Sequence, residues 1–228
     1  MINNKKISLI IPCKNEENVI GKTIRNIPKY IDEIIVVDNN SSDRTAEVAQ
    51  QEGAIVIKEI RQTNGIGYGY AHQTGIQRAT GHYIAALDGD GTYPAFELED
   101  IVNKMEAENI DFISCNRLPL AIPYAISKTR ELGVRILNME VKVLYGKPMK
   151  DILSGMWCFK SSIKDKLNLK EGGWDLSPEI KLNALLNPEI KFQEYHIVHF
   201  VRNKEPSKQQ IWKTGYDHAR YIFTRRFK

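Results

Sequence analysis

Tyr83-Ile84-Ala85-Ala86-Leu87-Asp88-Gly89-Asp90-Gly91 decides the fold. The apolar run from Tyr83 to Leu87 has the length of a buried strand. The two carboxylates that follow on alternate residues, with Gly91 permitting a tight turn, make a polar mouth at its carboxyl end. Two earlier segments follow the same pattern. Ile7 to Pro12 is apolar and ends in Cys13-Lys14-Asn15-Glu16, and Ile34 to Asp38 runs into Asn39-Asn40-Ser41-Ser42-Asp43. Between them, Glu16 to Asn26 carries Val19, Ile20 and Ile24, continued by Ile27, at helical spacing. Thr45 to Glu52 and Ala71 to Ala79 also read as helices, and Ala54 to Lys58 as a short strand. The order β-α-β-α-β-α-β predicts an α/β chain with a Rossmann-like, mostly parallel sheet flanked by helices. Ligands of such sheets gather beyond the carboxyl ends of the strands, so the three polar clusters are expected to share one crevice.

Further along, Ala95 to Glu108 reads as a helix, Asp111 to Cys115 as a strand, and Leu118 to Ile126 as an apolar stretch punctuated by Pro119 and Pro123. Arg130 to Tyr145 has the periodicity of an amphipathic helix. There is no internal repeat and no linker long enough to mark a second independent domain.

The 228 residues, 42% hydrophobic and 26% charged, exclude fibrous and disordered classes. No window approaches a bilayer span, and the N-terminal apolar run is too short for a secretory signal. Cys13, Cys115 and Cys158 are odd in number, widely spaced and apolar-flanked, which predicts buried reduced thiols of a cytosolic protein. The formal charge of +4 is uneven. Lys208, Lys213, Arg220, Arg225, Arg226 and Lys228 against Asp217 put +5 at the C-terminus, leaving about −1 on residues 1 to 207. A nucleic-acid partner is disfavoured, because the body is slightly acidic and carries no binding motif.

Asp88 and Asp90 can hold a divalent cation while leaving positions for a diphosphate. Ser41, Ser42 and Asp43 are N-cap residues for the helix that follows, and capping is the favoured reading of Asp43. Asp38 and Asn39 have no such local use. Gly65, Gly67 and Gly69 match neither a Walker loop nor a dinucleotide fingerprint, so they read as backbone-geometry residues.

In this order the motifs resemble the inverting glycosyltransferases of family 2, with the GT-A nucleotide-sugar fold, and among them the dolichyl-phosphate mannose synthases and other polyprenyl-phosphate glycosyltransferases. The resemblance runs from about Ile7 to Gly215. Ile11-Pro12-Cys13-Lys14-Asn15-Glu16-Glu17-Asn18 stands for their Pro-x-Tyr-Asn-Glu segment. Val36 to Thr45 stands for Val-Val-Asp-Asp-Gly-Ser-x-Asp-Gly-Thr, and Asp88-Gly89-Asp90-Gly91-Thr92-Tyr93-Pro94 for the metal motif. Arg117, the Arg130/Arg135/Asn138 helix, Asp151-Ile152-Leu153-Ser154-Gly155, Glu179, and Arg202 to Lys208 with Gly215 follow in the family's order. Lys14 replaces the usual Tyr, Asn39 an Asp expected to read the base, and Thr92 a frequent Gln.

The resemblance implies transfer of a hexose, first mannose from GDP-mannose, to dolichyl or polyprenyl phosphate with inversion. Asn39 leaves GDP and UDP open, since an amide and a carboxylate present different donor and acceptor patterns. It implies Mg2+ or Mn2+ on Asp88, Asp90 and Thr92. The nucleotide sugar would lie against Pro12, Lys14, Glu16, Val37, Asp38, Asn39 and Gly89. Arg117 and Arg130 or Arg135 would grip the acceptor phosphate, and Arg202 with Lys208 the donor diphosphate. Alternatives are a UDP-glucose or UDP-N-acetylhexosamine donor, or a saccharide acceptor with Glu179 as base. A sugar nucleotidylyltransferase would need a Gly-rich loop after its first strand, which is absent.

Such an acceptor lives in a bilayer. Residues 1–207 are therefore expected to form the catalytic domain, and 208–228 a basic amphipathic helix meeting a membrane surface or a membrane partner subunit. Peripheral placement at the cytoplasmic face of a membrane follows. From Ile211 to Ala219, packing of that helix on the enzyme is an equal alternative to membrane contact, and less so from Tyr221 onward.

Overall fold

The computed structural model describes residues 1–202 and 209–227. Seven strands form one sheet: β1 (Ile7–Cys13), β2 (Glu33–Asp38), β3 (Ile55–Lys58), β4 (Tyr83–Ala86), β5 (Phe112–Asn116), β6 (Trp157–Lys160) and β7 (Phe192–His196). Their spatial order is β3-β2-β1-β4-β6-β5-β7. The first four are mutually parallel, with Cys13 level with Asp38 and Ile10 with Ala86. β6 runs antiparallel between β4 and β5, and β7 closes the far edge parallel to β5.

The helices are α1 (Glu17–Arg25), α2 (Thr45–Gln51), α3 (Tyr68–Arg78), α4 (Leu98–Ala107), α5 (Lys128–Tyr145), α6 (Leu176–Leu186) and α7 (Ile211–Arg226). Alternation along the strands splits the core. Leu9, Ile11, Val36 and Ala85 face α1, α2 and α4, whereas Ile10, Val37, Ile84 and Phe159 face α3 and α6. The inner strands β1, β4 and β5 are buried along their whole length, covered on both faces as their unbroken apolar runs require, whereas the edge strands β3 and β7 are only partly covered. All three cysteines are buried and free, as expected.

Between Tyr145 and the C-terminal helix the sequence reading assigns no element, and there lie β6, α6 and β7. β6, α6 and β7 carry no clear period: β6 has four residues, and the edge strand β7 is half-buried. The stretch from Leu118 to Ile126 forms turns, with Tyr124 at positive φ and exposed. Ser127 then caps α5 by accepting from Arg130 N–H, and Gly146 ends that helix at φ 66°. A third core cluster joins α5, α6 and α7 through Leu137, Val141, Leu182 and the fully buried Ile222. Packing of α7 therefore continues past Tyr221, where less was expected: Tyr145 Oη donates to Ile222 O and Arg226 Nε to Leu144 O. Among the described residues no helix is long and apolar enough to cross a membrane.

Candidate active site

The first two helices begin side by side, and each brings amide N–H groups that lack intrahelical partners. The two loops satisfy each other. Asn15 N–H donates to Ser41 Oγ, Ser42 N–H to Asn15 Oδ1, Glu16 N–H to Thr45 Oγ1, Glu17 N–H to Asp43 Oδ2 and Arg44 N–H to Glu17 Oε2. Asp43 also accepts from Thr45 N–H, so it serves the start of both α1 and α2. Asp38, which had no local explanation, accepts from Ser41 N–H and folds the turn. Neither Asp38 nor Val37 lines the crevice: Val37 belongs to the core against α3. Here Asp38 supports the loop that presents Asn39.

Asn39 is 4% exposed, and its Nδ2 donates to the carbonyls of Glu59 and Arg61. Two carbonyl partners assign the amide nitrogen to that side. Oδ1 is thereby left as the acceptor that this crevice-lining residue offers. A side chain at Gly67 would strike Asn39 and Arg61 O, and one at Gly69 the backbone of Glu171, so these glycines are required by close approach.

Beside this loop lie the two carboxylates at the end of β4. Burial, and next the neighbouring Asp90, push the Asp88 carboxyl up to about 7. Tyr68 Oη donates to Asp88 Oδ1 at 3.1 Å, and the missing Cβ of Gly155 makes room for the same carboxyl group. Thr92 donates through N–H and Oγ1 to Asp90 Oδ1, so it orients Asp90, where a ligand role was expected. Arg202 bridges Asp90 Oδ2 at 3.0 Å and Glu16 Oε1 at 3.3 Å. Among the described residues no group of three or more His, Cys, Asp and Glu is set for a metal. Two half-buried, mutually repelling carboxylates fit a divalent ion that takes its other oxygens from a diphosphate. His199 lines the same space. Burial, and then Arg117, pull its pKa down to about 4, and the neutral ring meets Tyr93 edge-on at 4.8 Å.

The arginines divide. Arg117 forks onto Asp151, which is 0% exposed, and its Nη1 donates to Tyr93 Oη, which also accepts from Gly155 N–H. Arg130 lines the crevice with no carboxylate in ion-pair range among the described residues. Burial, then the cations Arg202 and Arg117, lower its pKa from the ordinary value. Arg135 is not brought in: it pairs with Glu131 along the exposed side of α5. Lys208 lies outside the described residues. Glu179 is also elsewhere, accepting from the N–H groups of Lys170 and Glu171 away from the crevice. Pro12, Lys14, Glu16, Gly89 and Thr92 do line it.

The crevice holds about 920 Å3 and is two-natured. Carboxylates and arginines occupy one part; Leu132, Ile136 and Leu137 of α5 face Trp212, Tyr216 and Ala219 of α7 in the other. Tyr68, Tyr93, Asp151, Trp174, His199 and His218 are site residues to which the sequence assigned no role. Tyr93 and Asp151 stood within quoted motifs and Tyr68 between Gly67 and Gly69; the others carry no local signal.

Residues 8–161 match the profile of Glycosyl transferase family 2. The chain is 29% identical over 223 residues to the low-salt glycan biosynthesis hexosyltransferase of Haloferax volcanii, covering 95% of this chain and 52% of that one. It is 28% identical to the glycosyltransferase AglJ of the same organism, over 78% of this chain and 58% of that one. It thus spans about half the length of these relatives. Glucosyl-3-phosphoglycerate synthase of Mycobacterium tuberculosis, crystallised with Mn2+, UDP-glucose and phosphoglyceric acid, superposes with a TM-score of 0.77. It is 19% identical, over 98% of this chain and 80% of that one, and so shares the fold.

Proposed function

Because the chain belongs to glycosyl transferase family 2, we propose that it moves a hexose from a nucleoside-diphosphate sugar to dolichyl or polyprenyl phosphate, inverting the anomeric carbon. The two-natured crevice carries this reading. Arginines and carboxylates suit two phosphate-bearing substrates, and the apolar walls of α5 and α7 suit the first units of a polyprenyl chain.

A phosphate monoester is already an anionic nucleophile, so positioning outweighs general-base chemistry. Arg130, without a carboxylate partner among the described residues, forks onto the acceptor phosphate. Arg117, held rigid by Asp151, adds a fixed positive charge without leaving its partner. Arg202 exchanges Asp90 for the donor diphosphate. Asp88 and Asp90 would hold Mg2+ or Mn2+, which when bound neutralises charge on the leaving diphosphate. Asn39 Oδ1 accepts from a base N–H, a contact that guanine and uracil both satisfy. GDP-mannose is the first reading of the donor. A UDP-hexose is the second, favoured by the UDP-glucose bound to the M. tuberculosis synthase.

The enzyme works peripherally at the cytoplasmic face of a membrane. Exposed Trp212, Tyr216 and Phe223 of α7, Phe227 just after it, and Met139 and Val143 of α5 enter the lipid interface, with Lys213, Arg220 and Arg226 near anionic headgroups. A membrane subunit is the alternative occupant.

The test supplies GDP-mannose or UDP-glucose, with Mn2+ or Mg2+, to phytanyl phosphate, phytanol and a free disaccharide. Labelled sugar in an acid-labile phytanyl phosphate product is expected; transfer to the disaccharide alone overturns the acceptor assignment.

A further inference from the structure

His218 and Asp175 form a pair on the crevice wall that none of the roles above uses. His218 sits on the inner face of α7, 2% exposed, between Thr214 and Ile222. Its Nδ1 lies 2.8 Å from Oδ1 of Asp175, the residue before α6. A carboxylate only accepts, so Nδ1 carries the proton of this bond. Nε2 has no protein partner among the described residues and is not among the buried unpartnered atoms, so it opens on the crevice that His218 lines.

A relay of contacts joins the pair to the carboxylate end of the crevice. Asp175 follows Trp174, whose ring packs 4.7 Å from that of Tyr68, and Tyr68 Oη donates to Asp88. Trp174, Ser177 and Arg130 line the same crevice. An imidazole oriented by a carboxylate can serve a hydroxyl acceptor as base or a phosphate as donor. With Nδ1 committed to a carboxylate, the position left at Nε2 suits an anion that accepts a hydrogen bond, such as a phosphate.

Resting on the phosphate acceptor proposed above, we propose that His218 is an acceptor-binding residue: with Nδ1–H fixed on Asp175, Nε2–H donates to the acceptor phosphate. Asp175 is its positioning residue.

Two isosteres separate this role from a staple between α6 and α7. His218→Asn keeps an amide N–H where Nδ1 stood and offers nothing at Nε2; His218→Gln places its amide near Nε2. Each variant, and Asp175→Asn, is assayed with phytanyl phosphate and whichever of GDP-mannose or UDP-glucose the wild type uses with Mn2+. Thermal unfolding is followed in parallel. H218N is expected to unfold like the wild type and to raise KM for phytanyl phosphate about 10- to 100-fold, the worth of a charged hydrogen bond, with donor KM unchanged. H218Q recovers part of the loss, and D175N raises the same KM. Equal KM in H218N and wild type reduces the pair to a staple and overturns the proposal. So does a fall in kcat alone with loss of the acidic limb of the pH–rate profile, which marks a base. Should the wild type ignore phytanyl phosphate yet glycosylate a disaccharide, the acceptor class itself is wrong, a failure visible before any variant is made.

Discussion

Arg117 and Asp151 meet as a two-point fork inside the protein, Nε to Oδ2 at 2.6 Å and Nη2 to Oδ1 at 3.0 Å. Burial alone would raise the Asp151 carboxyl, but the guanidinium holds it below its ordinary value. The pair ties the end of β5 to the loop before β6, and Tyr93 completes the link by receiving both Arg117 and Gly155 N–H. Removing one partner strands the other's charge. Asp151→Ala is expected to cost about 3–5 kcal/mol in urea unfolding, and the double variant with Arg117→Met to recover most of it. Additive losses in that cycle would show that the two residues act separately.

Asp90→Asn should abolish Mn2+-dependent binding of the donor nucleotide, measured by calorimetry with GDP and UDP. Thr92→Val should weaken it about tenfold, since only the bonds that aim Asp90 are affected, and Thr92→Ser should restore it. A Thr92→Val effect as large as that of Asp90→Asn would return Thr92 to the ligand set.

His72 is fully buried beside Tyr68 and Trp157, with both ring nitrogens unpartnered, and burial depresses its pKa to about 3. A base so depressed stabilises the fold fully above its unfolded pKa of about 6.5, and that contribution is lost as pH falls toward 3. His72→Phe is therefore expected to be about 2 kcal/mol better relative to wild type at pH 5 than at pH 7.5. His199 contributes with the same sign in both proteins and cancels. A pH-independent difference between the two unfolding curves would refute the assignment.

Gly65 and Gly67 lie in one loop but predict different outcomes. Gly65 has open space around it and positive φ, so Gly65→Ala costs about 1 kcal/mol of stability through the backbone alone. Gly67→Ala drives a methyl group into Asn39 and Arg61 O, and should lower nucleotide affinity at least tenfold. Equal nucleotide affinities in the two variants would separate Asn39 from base recognition.

Lipid contact is best tested by point substitution. Deleting the end of α7 would remove Ile222 from the core it shares with Leu137 and Val141. Trp212→Ser with Phe223→Ser and Phe227→Ser leaves that face intact. The triple variant should lose co-sedimentation with phosphatidylserine vesicles while its melting temperature stays within a few degrees. Unchanged sedimentation would leave a membrane subunit as the occupant.

By itself, the sequence determined the parallel half of the sheet, the meeting of three strand-end clusters, the carboxylate pair and the basic amphipathic character of α7. These follow from local periodicity: an apolar run must be covered on both faces, and polar residues at strand ends then have only one direction to face. The tertiary structure alone decided which charges are spent and which are free. Arg117 is committed to a residue 34 positions away and Arg202 to one 186 positions away, whereas Arg130 is left to the crevice and Arg135 to solvent. The same holds for His218 on Asp175, 43 positions apart. No spacing rule encodes such pairs, because they arise where separate elements pack. Burial then makes each partnership costly to break, and that cost settles which side chains remain available to a substrate.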